Sequence, residues 1–250
     1  MHGRYSVFPV AGVLLGLAGR TGRAQARMLT PQEVRALSAG YYSPSEYDRV
    51  VAKAALTPEQ AYFTPDWQPG TLRTAGGETV GVAAVRYNVA RRLVEVRDSG
   101  GPAGLRIVPV GGLRGFTPGA AGKPGSHTFE TRPVSRAANG RNFFEVLTPG
   151  PLQILLLLHT LEEKSANWIA AYNLETRPAS VNRLTRLFVA KPGQHGVEEL
   201  PLKRKAGAKL FGRQAPRVAA YATEKKLRYE QVPDLVWLVA YYNDLLKAAQ

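Results

Sequence analysis

Apolar residues near the C-terminus recur at Leu235, Leu238, Val239, Tyr242 and Leu246, the i, i+3, i+4, i+7, i+11 spacing that aligns one face of an α-helix. With Pro233 near its start, this spacing predicts a helix over 232–248 whose natural role is to pack on a sheet. Shorter helical stretches precede it at 203–211 and 215–226. Upstream, from 71 to about 202, the pattern changes to short β-branched or aromatic runs separated by Gly, Pro and Asn, the signature of strands. The candidates are 71–75, 78–88, 93–97, 105–110, 127–132, 141–147, 152–161, 183–190 and 197–202, with Gly76-Gly77 as a tight hairpin between the first two. About nine strands with no helices between them predict antiparallel meanders and argue against a parallel βαβ sheet. The Gly/Pro-rich stretch 117–125 reads as a long loop.

Before the strands, Thr30-Pro31-Gln32-Glu33 combines an N-cap, a Pro at the first helical position and a Glu three residues after the cap. A second short helix is expected over 45–56, with Ser45 as cap and Tyr47, Val50, Val51 and Ala54 at helical spacing. The run Thr64-Pro65-Asp66-Trp67-Gln68-Pro69-Gly70 then breaks the pattern. The expected fold class is α+β, mainly β: an antiparallel meander sheet, as a sandwich or partly open barrel, with short N-terminal helices and a C-terminal helical segment packed on it.

Residues 5–19 are apolar or small apart from Ser6, follow a single Arg4, and are closed by Arg20. About 15 such residues are too few to span a bilayer, which needs roughly 20, but suit the core of a secretory signal. Ala24-Gln25-Ala26 supplies a small-x-small cleavage site. The resulting division is a signal peptide over 1–26, a helical lead over 27–66, an antiparallel β-rich domain over 67–202 and a basic helical segment over 203–250. No later segment has 18 uninterrupted apolar residues, so no transmembrane segment is expected in the mature chain, which should be periplasmic or secreted.

The chain has no cysteine, which excludes a lipid-modified Cys, a disulfide framework and a thiolate site. Its formal charge is +14; removal of 1–26 takes away Arg4, Arg20 and Arg23 and no acid, leaving +11. The excess is local. Residues 203–228 hold nine basic residues against the single acid Glu224, with Lys203, Arg204, Lys205, Lys209, Arg213 and Arg217 as the candidate binding surface. Lys209, Arg213 and Arg217 would share a helical face, although Gly212 and Pro216 are expected to break it. Such a surface fits an anionic envelope component or an acidic protein, and its plainer explanation is a solvated helix pair. Charge alone would admit a nucleic acid, but export argues against one.

The catalytic motifs fail on inspection. Asp98-Ser99-Gly100-Gly101-Pro102 matches the nucleophile segment of chymotrypsin-like proteases, but such a serine needs a histidine and an aspartate earlier in the chain. The only earlier histidine is His2, inside the signal, and a turn explains the segment. Gly122-Lys123 matches the end of a phosphate-binding loop, but Thr117 and Pro124 stand where Gly and Ser/Thr are required. His127, His159 and His195 are too far apart in sequence for a local metal pair, so each reads as an ordinary polar residue, and no metal or cofactor is expected. The adjacent pairs Glu162-Glu163 and Glu198-Glu199 send their side chains to opposite faces of a strand. Glu95, Glu130 and Glu145 lie on separate candidate strands and could converge on a barrel interior.

The chain resembles uncharacterised exported proteins of Bacteroidota, small β-rich domains with a helical tail. The resemblance rests on Phe143-Phe144-Glu145-Val146-Leu147 with Gly150-Pro151-Leu152, and on the tail from Leu210-Phe211-Gly212 through Val218-Ala219-Ala220-Tyr221 to Tyr241-Tyr242-Asn243. It implies a compartment and a fold but no activity. The expectation is a non-enzymatic binding or structural module of the cell envelope, with an envelope hydrolase as the alternative.

Overall fold

The computed structural model describes residues 27–28, 56–97, 104–120, 126–135, 140–150, 154–164, 167–169, 174–177, 180–194 and 196–248. The expected signal, the two lead helices, the 98–102 and 122–124 motifs and His195 lie outside them. The strands are β1 (Arg27–Met28), β2 (Gln68–Thr74), β3 (Thr79–Asn88), β4 (Leu93–Arg97), β5 (Leu105–Pro109), β6 (Leu113–Pro118), β7 (Phe129–Pro133), β8 (Arg141–Val146), β9 (Ile154–Lys164), β10 (Asn167–Ile169), β11 (Leu174–Arg177), β12 (Ser180–Ala190) and β13 (Glu198–Glu199). A short helix α1 (Pro58–Ala61) precedes β2, and α2 (Arg204–Lys209), a 3-10 turn (Gly212–Gln214), α3 (Ala215–Lys225) and α4 (Val232–Lys247) follow β13.

Ten strands form one antiparallel sheet in the order β13-β12-β9-β8-β7-β6-β2-β3-β4-β5, and β1 adds in parallel to β3. The chain runs outward from β2 to β5, returns to lay β6 on the free side of β2, and meanders on from there, with β10 and β11 as a separate hairpin. The expected Gly76-Gly77 hairpin is present: Gly77 has φ +93°, and its N–H donates to the Thr74 carbonyl at 2.9 Å. At the far end the sheet curls, because Val134 and Val197 form a parallel bridge in which Ser135 N–H donates to Val197 O and Val197 N–H to Pro133 O, each at 2.9 Å. The ladder itself stays open at β5.

Curling gives both faces a core. On one face Leu72, Val85, Tyr87, Val94, Phe116, Phe129 and Phe143 form the largest cluster. Phe116 and Phe129 are stacked at 4.7 Å, and Tyr87 packs against both. Further along that face Leu155, Leu187 and Val189 meet Phe211, Val218, Ala222, Leu235, Leu238 and Val239 from the helices. The opposite face buries Phe144, Leu156, Leu158, Phe188 and Val197 inside the curl. Leu235, Leu238 and Val239 of the predicted stripe are fully buried, each worth roughly 1.5–3 kcal/mol of transfer free energy. α3 ends on Lys226 in the left-handed conformation, with Leu227 N–H bonding Ala222 O at 2.8 Å. Asp234, in the first turn of α4, accepts the Arg228 N–H at 2.8 Å and closes the α3–α4 hairpin.

The structure corrects the element boundaries at three places. Thr117 and Pro118 belong to β6, pairing with Thr71 and Gly70, so the 117–125 loop starts too early. β6 was hidden by Gly115 and Pro118 within an otherwise strand-like run. β2 begins at Gln68, its Pro69 tolerated where the register shifts between Gln68 and Gly70. α1 was signalled by Thr57-Pro58-Glu59-Gln60, a complete capping box in the structure.

Gly115 sits where the neighbouring strand leaves no room for a side chain: a Cβ there would lie 2.3 Å from the Phe129 carbonyl oxygen, whereas Gly111 has nothing within 4 Å. The expected outcome is that Gly115→Ala lowers unfolding stability by about 1–3 kcal/mol, as overpacking against backbone does. Gly111→Ala should leave the urea midpoint nearly unchanged.

Candidate functional site

The six residues of the sequence-derived basic surface are all exposed. Lys203 is the N-cap residue of α2, Arg204 and Lys205 open that helix and Lys209 ends it. Arg213 lies in the 3-10 turn and Arg217 in the first turn of α3. Gly212, with φ +46°, separates Lys209 from Arg213 as expected, so the six occupy consecutive short elements, not one helical face. None has an ion-pair partner among the described residues. One of them, Arg204, lines a cavity of about 410 Å³ together with Thr223, Leu227, Arg228, Tyr229 and Glu230. Burial pushes the Tyr229 hydroxyl up from its ordinary pKa, opposed by Arg204 beside it.

A second cluster comes from the sheet register. Leu72, Phe116, Phe129, Glu145, Leu157 and Leu187 are successive partners across six strands, so Glu145 is the one charged residue in an apolar row. Two residues along the flanking segments, His127 and His159 reach it from either side. His127 Nδ1 lies 2.5 Å from Glu145 Oε1, and His159 Nε2 lies 2.7 Å from Oε2. An ionised carboxylate only accepts, so both nitrogens donate, which fixes both tautomers. Phe63 sets its ring edge on His127, His159 and Phe129 at 4.8–5.0 Å. Its segment is held by Arg183, whose guanidinium donates to the carbonyls of Glu59 at 2.9 Å, of Phe63 at 3.3 Å and of Tyr62.

Burial alone would raise the Glu145 pKa, but the hydrogen bonds from His159 and His127 outweigh it and hold the carboxyl below its ordinary value. His159 is buried, and its Nδ1 has no partner among the described residues. His127 is half-exposed. Chemically this is a carboxylate-oriented imidazole, the base half of a nucleophile–base pair. Neither imidazole bonds a hydroxyl among the described residues, and none of their groups of three His, Asp or Glu side chains is disposed to hold a metal ion.

The three glutamates that could have converged on a barrel interior do not. Glu95 is fully buried and bonds Arg86 at 2.7 Å and Tyr62 at 2.9 Å. The Arg86 guanidinium lies over the rings of Tyr62 and Trp67, 3.8 and 4.3 Å from their centroids. Glu130 accepts from Arg73 at 3.1 Å and Arg132 at 2.7 Å. Its opposite partner is Phe144, which puts it on the other face from Glu145. Glu162, the next acid along β9 from His159, pairs with Lys164 at 3.0 Å. Glu198 and Glu199 diverge as expected, to Lys191 and Arg186. The larger cavity beside them, about 610 Å³, is lined by Arg92, Asn142, Thr160, Arg186, Glu198 and Glu199; Arg186 and Glu199 are paired with each other, Glu198 with Lys191, and Arg92 donates to the Asn142 side-chain oxygen at 3.2 Å. The chain matches no protein-family model, no curated protein and no solved structure.

A folded-state carboxyl held below its ordinary value adds stability above the unfolded-state pKa, and that stability is lost as pH falls through the lowered value. Glu145→Gln, which replaces two acceptor oxygens by one, should therefore cost about 1–3 kcal/mol at neutral pH. The gap from wild type should narrow steadily in urea titrations taken into the acid range.

Proposed function

We propose that the chain is an exported, non-enzymatic binding module of the cell envelope that engages an anionic partner through the exposed basic residues of α2, the 3-10 turn and α3. The carrying observation is the contrast in charge pairing. Five cations of the sheet region are paired with acids: Arg73 and Arg132 with Glu130, Arg86 with Glu95, Arg186 with Glu199 and Lys191 with Glu198. In the tail, among the described residues, the ion pairs are Lys225 with Glu224 and Lys247 with Asp244, and none involves Lys203, Arg204, Lys205, Lys209, Arg213 or Arg217. Unpaired like charges held together repel and favour an oppositely charged partner. Cleavage after Ala26 would leave Arg27–Met28 free to pair with β3 as they do here, which agrees with export.

A hydrolase has one observation in its favour, the half-exposed His127 held by Glu145. It lacks a hydroxyl or thiol partner among the described residues, so the binding reading takes precedence.

Two measurements test the proposal. Changing Lys203, Arg204, Lys205, Lys209 and Arg213 together to Gln should sharply lower the salt needed to elute the protein from a heparin matrix, because exposed charges are screened within about 10 Å at 0.1 M salt. Unchanged elution would remove the basic surface from the function. Mass spectrometry of protein recovered from the envelope should give an N-terminus at Arg27; a retained Met1 would overturn export.

A further inference from the structure

We propose that the anionic partner is a phospholipid bilayer, met at its surface by the α3–α4 hairpin with Trp237 entering the headgroup region. This rests on the reading of the tail as an anion-binding surface and goes further by naming what carries the anions. A soluble polyanion needs only cations, whereas a bilayer also rewards exposed apolar side chains placed among them.

The hairpin supplies those side chains. Trp237 is 62% exposed, the most exposed large apolar residue described, although α4 buries Leu235, Leu238 and Val239 around it. It lies one turn before Tyr241, which stacks face to face on Tyr221 of α3 at 4.1 Å and 11°. Arg217 and Lys225 lie one turn on either side of Tyr221, and both are exposed, Arg217 without an ion-pair partner among the described residues and Lys225 beside Glu224. Helical periodicity therefore places an indole, two stacked phenols and two cations on adjoining faces of the two helices. A second site repeats the chemistry: Leu202, 45% exposed, runs directly into the exposed Lys203, Arg204 and Lys205. Trp and Tyr are the side chains that favour the bilayer interface, with an apolar body and a polar handle, and clustered Lys and Arg are drawn to anionic leaflets. No described helix is long and apolar enough to cross a membrane, so the contact is peripheral.

The test compares phosphatidylglycerol/phosphatidylcholine vesicles, phosphatidylcholine vesicles and soluble heparin. Wild type should sediment with the anionic vesicles and not with the neutral ones. Trp237→Ala should weaken that binding about ten-fold, the scale of withdrawing one large apolar side chain from an apolar phase, and leave heparin binding unchanged. The five-residue Gln variant should lose both. In a Trp67→Phe, Trp168→Phe background, Trp237 emission should shift to the blue and be quenched by brominated lipid. If Trp237→Ala sediments like wild type, or if heparin binds while anionic vesicles do not, the bilayer is overturned and the anionic reading survives; if neutral vesicles bind equally well, the anionic bilayer proposed here is overturned. If neither anion binds, or binding ignores the Gln changes, both readings fall.

Discussion

Phe143 and Phe144 are consecutive and both fully buried, yet they belong to different clusters, because neighbouring side chains in a strand point to opposite faces. A sheet buried on both faces over the same stretch needs a separate cover for each. Around Phe144 the cover is the sheet itself, curled until Val134 meets Val197; on the other face Phe143 is covered by the sheet's own aromatic cluster with Phe63, and further along, over Leu155 and Leu187, by the helical tail. The tail is thus a layer of the fold, and its orientation follows: with Val218, Ala222, Leu235 and Leu238 committed to the sheet, the cations between them have only solvent to face.

That double burial explains what the chain made legible. The run Ile154-Leu155-Leu156-Leu157-Leu158 shows no alternation because Leu155 and Leu156 serve opposite clusters. Length, turn residues and flanking polar positions identified it as a strand where period could not. The α4 stripe was readable because a helix packs on one side only. β6 was not, since Gly115 is required by the close approach of Phe129 O, and a glycine demanded by tertiary packing looks in sequence like a turn. The very short β13, at two residues, depends on its partner more than on its own propensity.

The cluster at Glu145 shows the opposite limit. His127, Glu145 and His159 were each visible, but 18 and 14 residues apart, with no local spacing to relate them. What relates them is register: Phe129 opposite Glu145 and Glu145 opposite Leu157 place the two histidines on either side of the carboxylate. A one-residue slip in either pairing would send a histidine to the other face. Taking Glu145 together with Glu95 and Glu130 failed because like charges rarely share an interior when arginines are at hand. Each of these glutamates found its own donors instead.

The tail's charge is therefore best judged against the sheet of the same chain. An arginine-rich composition by itself would distribute cations and their partners alike over the whole molecule. In the sheet several arginines meet acids, and others meet carbonyls or an aromatic ring: Arg114 meets Ala75 O, Arg183 the α1 carbonyls and Arg97 the Trp67 ring. The tail leaves a run of cations without acids, although α3 and α4 have exposed positions where glutamates at four-residue spacing could have neutralised them. Repulsion of this kind opposes folding, and the tail offsets it with the burial of Val218, Leu235, Leu238 and Val239.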